Sequence, residues 1–462
     1  MNNQSVHWDS GSFRDPEGFV FFKDDKVFRT LSDSAEVRMK TLLESGFFKK
    51  YMQDGRVIPT KLLKNPFAKD GVRGNFILEH ERISCITYPY EWSFSMLQEA
   101  TTSTLSLLKE CLENGFILKD GTAWNFTCVK GKMCFFDILS IGAYEEGQPW
   151  EGYEQFCQEF LLPLLLKAHK NIDFQSFFKG SLKGVNLQLA NAVFGVLDWR
   201  LPGVFKHVFL NAKFSQNKAI AKETVKNKLK IPKTSLLHMV EGMLKVVQGL
   251  RDTTKQSTWI DYTQNNTYEE ADTRIKEKFI SEFVGSTKDQ DVILDLGCNT
   301  GHFSRIAAKN RSVLSCDIDS NCIDDLYEYL GKNGVTNITP VVLDLMNPSS
   351  ECGWRLKERR SFYNRLKGEG FLALALIHHL CIAQNVPLES FVVSLSTMAP
   401  CGVIEWVSKE DPMVQFLLRN REDIFPNYTW ACFEKEISKH FKIKKTKKLN
   451  DATRTLCWLE PK

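Results

Sequence analysis

The chain has 462 residues, too many for one hydrophobic core, and its 43% hydrophobic content is ample for two or three domains. A formal net charge of +4 excludes a global field that would commit it to nucleic acid or to a membrane surface. The thirteen cysteines are odd in number and include no C-x-x-C pair, which argues against a disulfide framework and a structural zinc site and for reduced thiols in a cytoplasmic setting.

The opening MNNQSVHWDSGSFRDPEG is polar and holds no apolar signal core, so residues 1–18 read as a flexible N-terminus. The greasiest runs, Phe160 to Leu166 and Phe371 to Ile377, are far short of a membrane span. Phe19 to Lys23 and Val27 to Leu31, separated by Asp24-Asp25-Lys26, predict a β-hairpin, followed by a helix from Ser32 or Asp33 to Ser45-Gly46. Strand-like material recurs at Phe76 to Leu78 and Ile83 to Tyr88. A long amphipathic helix is predicted from Ser93 to Asn114, with Gly115 just past its end. Phe116 to Asp120 then enters the loop GTAWN, which ends at Asn125. Two short strands, Phe126 to Val129 and Met133 to Phe136, flank a Lys130-Gly131-Lys132 turn before Asp137.

A helix, then D-x-x-x-x-N, a tight hairpin and an Asp resemble the catalytic loop and metal-binding strand of protein-kinase-like phosphotransferases. The resemblance covers residues 19–200 and implies an α+β kinase-like domain. In it Asp120 would orient a hydroxyl, while Asn125 and Asp137 would hold the metal of Mg-ATP. Residues 1–60 contain no glycine-rich loop and no V-A-I-K lysine. Arg29 is the candidate for that charge, with Glu36 or Glu44 as its partner. An active phosphotransferase, a fold kept for binding or scaffolding, and a plain loop capped by Asp120 and Asn125 all stay open.

Pro149 to Ala168 carries a dense apolar face and reads as a core helix. Composition then turns basic: Lys218, Lys222, Lys226 and Lys230 repeat along one helical face, as either a solvated face or a stripe for an anionic partner. With the amphipathic run Ser235 to Arg251, this predicts a helical Lys-rich linker over 201–258 and a second domain over 259–462. Trp259 to Tyr268 precedes a helix from Glu269 to Phe283, and Tyr262, Tyr268 and Lys276 are candidate lid or carboxylate contacts.

The second domain is organised around Asp291 to Asp344. Val292-Ile293-Leu294 is a buried-strand signal that stops at Asp295; a second strand, Ser312 to Cys316, stops at Asp317, and a third, Thr339 to Leu343, stops at Asp344. Three acids therefore close neighbouring strands on the carboxyl edge, where open α/β sheets bind ligands. The turn after the first strand reads D-L-G-C-N-T-G rather than G-x-G-x-x-G, with no lysine or arginine beside it. An acid there repels a diphosphate and suits a ligand that carries an ammonium group.

At these residues the sequence resembles the class I S-adenosylmethionine-dependent methyltransferases, which implies a Rossmann-like α/β sheet. By that resemblance Asp295, Gly297, Cys298, Asn299 and Gly301 surround the methionyl part of the cofactor, Asp317 with Ile318 lies at the ribose, and Asp344 with Leu345 at the adenine. A fourth strand, Phe371 to Ile377, ends at His378-His379; in these enzymes that edge faces the transferable methyl, and a His there could take a proton from an acceptor hydroxyl. Capping of strand and helix is the alternative for the pair. A fifth strand, Gly402 to Val407, carries Glu405 as a further catalytic candidate. Asn427 to Phe441 reads as a helix, and Ile443 and Thr455 to Leu459 as antiparallel closing strands.

Taken whole, YPYEWSFSML, LKDGTAWNF, FFDILS, LDLGCNTGHFS, LALIHHL, IEWVSKEDPMVQ and REDIFPNYT resemble bacterial class I methyltransferases related to a host-specific nodulation protein. The resemblance implies a cofactor and a domain order, and no motif fixes the acceptor; His378, His379 and the family analogy point to O-methylation of a sugar-containing or other polar small-molecule or glycan acceptor, and nucleic acid is not the expected partner. The rival expectations are a bifunctional kinase and methyltransferase that also uses Mg-ATP, and an RNA-directed module that uses the lysine stripe.

Overall fold

The computed structural model describes residues 6–214, 230–253, 270–288, 291–309, 311–449 and 452–462. Lys218, Lys222 and Lys226 of the basic stripe, and Tyr262 and Tyr268, lie outside the described residues. Two units are distinguished: Met1–Lys255 with Glu351–Arg359, and Gln256–Ser350 with Arg360–Lys462.

In the first unit, β1 (His7–Trp8), β2 (Val20–Lys23), β3 (Lys26–Thr30), β4 (Thr60–Lys64) and β5 (Phe76–His80) form an antiparallel sheet of order β1-β2-β3-β5-β4. The β2–β3 hairpin is as expected, and its two-residue turn holds Asp24 and Asp25 at φ 49° and 60°, which matches the twist of the flanking strands. Helices Asp33–Glu44 and Gly46–Gln53 connect β3 to β4, and the Ser32 hydroxyl accepts from the Ala35 N–H at the first cap. Ile83 to Tyr88 forms no strand. Its polar groups are met by side chains instead: the Thr87 N–H donates to Thr127 Oγ1 at 2.8 Å, and the Cys128 N–H donates to Thr87 Oγ1 at 3.2 Å.

Helix Phe94–Glu113 is the spine of this unit, burying Leu97, Leu105, Leu108 and Leu112. Helix Lys233–Gly249 packs along it rather than serving as a linker. Gln98 Nε2 donates to the Val247 and Leu250 carbonyls at 2.7 and 3.0 Å. Beyond the spine, β6 (Phe116–Leu118) pairs with β9 (Ile141–Ala143), and β7 (Phe126–Val129) with β8 (Lys132–Phe135). The helical run expected near Pro149 to Ala168 is Tyr153–Phe156, a π-helical turn Cys157–Leu161 and Leu162–Lys170.

The second unit holds one seven-stranded sheet of order β12-β11-β10-β13-β14-β16-β15. These strands are β10 (Val292–Leu296), β11 (Ser312–Asp317), β12 (Ile338–Val342), β13 (Gly370–Ala373), β14 (Gly402–Val407), β15 (Phe441–Lys448) and β16 (Arg454–Pro461). β10 to β14 are mutually parallel; β16 runs antiparallel to β14, and β15 to β16. The chain progresses outward from β10 to β12, then returns beside β10 with β13 and progresses the other way. That reversal makes the carboxyl ends of β10 and β13 a topological switch point, the place where such sheets bind ligands. β13 is shorter than the expected Phe371 to Ile377: it stops at Ala373, because Ala375 turns to φ 49° and leaves the ladder.

Candidate functional site

The glycine loop grows from β10. Asp295 is buried one residue before the strand's end, and its carboxylate accepts from Ser304 Oγ at 2.6 Å. Gly297, Asn299 and Gly301 all take positive φ, at 77°, 50° and 76°, a winding that β-carbon-bearing residues resist. A β-carbon on Gly301 would meet Leu326 Cδ1 at 2.6 Å. The loop is pinned to the neighbouring strand: the Gly297 and Cys298 N–H groups donate to the Cys316 carbonyl at 2.8 and 3.0 Å.

Asp317 closes β11 and completes the loop. Its Oδ2 accepts the Asn299 N–H at 2.7 Å and its Oδ1 the Asp319 N–H at 3.0 Å. Asp344 stands two residues past β12, accepting the Met346 N–H at 2.8 Å, and Leu343 N–H donates to the Asp317 carbonyl at 2.7 Å. Burial raises both inner acids. Asp295 is pushed up to about 7, by burial foremost and also by the Asp317 charge, against the Ser304 hydrogen bond. Asp317 is raised by burial against the backbone amides it accepts. Two carboxyls that are costly to ionise, on one edge, form a set that a cationic ligand with hydroxyl donors would relieve. The residues fit S-adenosylmethionine on that chemistry and do not fit a diphosphate.

Across the switch point lies the segment after β13. Leu376 approaches the glycine loop, since a β-carbon on Gly297 would sit 3.5 Å from its Cδ1. His378 is fully buried, and among the described residues neither ring nitrogen has a hydrogen-bond partner. Its ring lies 4.1 Å from that of His379, which opens the π-helical turn His379–Ala383. Burial lowers both histidines, His378 far below its usual value with help from His379 and Lys276, and His379 to about 4. Both are neutral at physiological pH.

Glu405, buried in β14, is held on several sides. Lys276 Nζ donates to its two oxygens at 2.9 and 2.8 Å, Arg454 Nη1 lies 3.4 Å away, and the Ala375 N–H donates at 3.1 Å. Arg454 in turn donates to Asp411 at 2.7 and 3.1 Å. A carboxylate so paired is not placed as a free base; it anchors the left-handed Ala375 beside the site. Lys276 therefore faces Glu405 rather than a ligand carboxylate.

The first unit carries the other predicted constellation. Asn125 is buried, and its loop is braced by Glu159, which accepts from Thr122 Oγ1 at 2.6 Å and from the Ala123 N–H at 2.9 Å. Asp120 is raised above the usual carboxylate value by partial removal from water and by the Asp137 charge. Asp137 is in an ion pair with Arg29 of β3, and Arg29 also reaches Asp15 at 3.1 Å. Its partners are thus Asp137 and Asp15, not Glu36 or Glu44. Among the described residues no group of three or more His, Cys, Asp or Glu is placed to hold a metal ion.

No protein-family model matches the chain. Nodulation protein NoeA of Rhizobium meliloti (strain 1021) is 35% identical over 461 residues, covering 98% of this chain and 95% of that protein. The chain belongs to the NoeA family.

Among solved structures, an S-adenosylmethionine-dependent methyltransferase from Aquifex aeolicus is 15% identical, covering 44% of this chain and 98% of its own, with a TM-score of 0.30. Magnesium protoporphyrin IX methyltransferase from Synechocystis PCC 6803 with bound S-adenosylhomocysteine is 15% identical, covering 44% and 94%, with a TM-score of 0.31. N-methyltransferase NodS from Bradyrhizobium japonicum WM9 is 10% identical, covering 42% and 99%, with a TM-score of 0.29. What assigns the second unit is its own sheet order, its switch point and its strand-end acids. In this NoeA-family chain the second unit is thus a Rossmann-like α/β domain with an acid-lined ligand edge.

The structure brings Asp295, Gly297, Cys298, Asn299, Gly301, Asp317 and Asp344 to one sheet edge, with Leu345 following Asp344 and Ile318 exposed just beyond Asp317. Sequence reasoning missed Ser304, Ala375, Asp411 and Arg454. Ser304 follows Asp295 by nine residues on the helix that the loop feeds, a spacing that could have found it. Asp411 and Arg454 left no local signal.

Proposed function

We propose that this NoeA-family chain transfers a methyl group from S-adenosylmethionine to a hydroxyl of a sugar-containing or other polar small-molecule acceptor. The observation that carries the reading is the pairing, at one switch point, of the strand-end acids Asp295 and Asp317 with a buried histidine whose two nitrogens have no hydrogen-bond partner among the described residues. S-adenosylmethionine supplies an activated methyl when bound. Asp295 and the loop around Gly297 to Gly301 would hold its ammonium end, Asp317 would accept from the ribose hydroxyls, and Asp344 with Leu345 would flank the base. His378, neutral and desolvated, accepts the acceptor's proton at a ring nitrogen, and its lowered basicity suits brief rather than stable protonation. Glu405 acts through Ala375, fixing the course of Leu374 to His379. Incubation with methyl-labelled S-adenosylmethionine and candidate saccharides tests this. The label is expected as an alkali-stable ether on oxygen, and label found on nitrogen or as a labile ester overturns the O-acceptor.

A kinase-like reading of the first unit is supported by the β3–helix–β4 connection and the order Asp120, Asn125, Asp137. The guanidinium of Arg29 on Asp137 already neutralises the carboxylate that would hold magnesium. We therefore read this unit as one kept for binding or for support, without Mg-ATP chemistry.

A further inference from the structure

A third surface, in the first unit, takes part in neither constellation. Helix Leu187–Val193, the 3-10 turn Val196–Arg200 and the π-helical turn Phe205–Leu210 pack together, with the Trp199 ring 5.4 Å from Phe205 and 5.1 Å from Phe209. Among the described residues, six of the eighteen large apolar side chains left exposed fall between residues 189 and 214. They are Leu189, Val196, Leu197, Trp199, Phe205 and Phe214, and the exposure reaches 70% at Val196, 79% at Leu197 and 61% at Phe214. Single exposed apolar residues need no explanation, but a concentration of them on adjoining elements marks a surface that meets something apolar.

Charge narrows what that is. Arg200, Lys206 and Lys213 are exposed among these side chains. The one acid in the stretch, Asp198, is paired with Lys170 at 2.8 Å and accepts the Gly195 N–H at 2.7 Å, so it does not cancel them. A nucleic acid would use the cations and the aromatic rings but leave Val196 and Leu197 in water, since neither can stack on a base. Aliphatic, aromatic and basic side chains interleaved on one short stretch suit a lipid boundary. There the rings sit at headgroup depth, the aliphatics enter the acyl edge and the cations meet phosphate. We propose that this face docks the chain peripherally on an anionic lipid surface, through Val196, Leu197, Trp199 and Phe205 with Arg200 and Lys206. No described helix is long and apolar enough to cross a membrane.

The test is flotation of the full chain with vesicles rich in phosphatidylglycerol and, separately, with vesicles of phosphatidylcholine alone. Binding to the anionic vesicles is expected to exceed binding to the neutral ones and to weaken with salt. Each basic side chain near such a surface contributes about 1 kcal/mol, so Arg200→Gln and Lys206→Gln should each lower the partition about fivefold. Leu197→Ser combined with Trp199→Ser should abolish it, with thermal unfolding and S-adenosylhomocysteine binding unchanged as the check on folding. Failure to float with anionic vesicles, equal binding to both, or an unaffected double variant overturns the proposal. So does a wild-type dimer that the double variant dissociates without any vesicle binding.

Discussion

Replacing Asp295 by asparagine separates the ligand role of this residue from its cost to the fold. Burial moves its carboxyl from an ordinary 3.8 to about 7. At about 1.4 kcal/mol per pH unit, the ionised form costs the folded state about 4 kcal/mol as an upper bound, and relaxation around the site leaves about 1–2. The sign follows from linkage. A carboxyl whose folded pKa lies above its unfolded one favours the fold fully below about pH 4, and that contribution is lost as pH rises to about 7. The side-chain amide of Asp295→Asn would keep an oxygen for the Ser304 hydroxyl and never ionise. The variant should therefore match wild type near pH 4 and melt higher at pH 8, by about 2–4 °C per kcal/mol. Its affinity for S-adenosylhomocysteine should fall about 10–100-fold, the worth of a hydrogen bond to a charged group. In wild type the same affinity should rise with pH up to about 7 and then level, since the ligand's ammonium group favours the ionised carboxylate. Differential scanning calorimetry and titration calorimetry, run between about pH 4 and pH 8, measure both. A variant that is no more stable at pH 8, or that binds as tightly as wild type, refutes the reasoning.

Four other outcomes follow from the geometry. Gly301→Ala forces a β-carbon against Leu326 at positive φ and should cost about 1–3 kcal/mol, read from denaturant midpoints. Lys276→Met takes the ammonium away from the buried Glu405 carboxylate; the loss should be about 3–5 kcal/mol, and an unchanged melting temperature would remove Glu405 from its anchoring role. His378→Asn should slow methyl transfer about 10²–10⁴-fold while leaving S-adenosylhomocysteine affinity unchanged; equal slowing by His379→Asn alone would transfer the role to the neighbour. Titration with Mg-ATP should give no heat, and a saturable, magnesium-dependent heat lost in Asp137→Ala would restore an active first unit.

Much of the second unit is legible locally. Each of the first three parallel strands is a short apolar run with an acid within two residues of its end, and the glycine loop announces its own backbone by residue type. The end of β13 is not legible in this way, because Ala375 and Leu376 prolong the apolar run while the backbone has already turned; hydrophobicity records burial and not φ. Glu405 resembles a base in sequence because its partners lie on other elements, Lys276 and Arg454 being 129 and 49 residues away. The same holds for Arg29, for which the next helix offers nearby acids while the real partner, Asp137, is 108 residues away. Helix Lys233–Gly249 reads as part of a linker because its lysine-rich neighbourhood masks the apolar face that meets helix Phe94–Glu113.

The most direct measurement is titration calorimetry of the full chain with S-adenosylhomocysteine, for wild type and for Asp317→Ala. Saturable binding to wild type, weakened about tenfold or more in the variant, is the expected result. A wild-type protein that gives no binding, or a variant that binds equally well, would contradict the assignment of the β10–β13 edge to this cofactor.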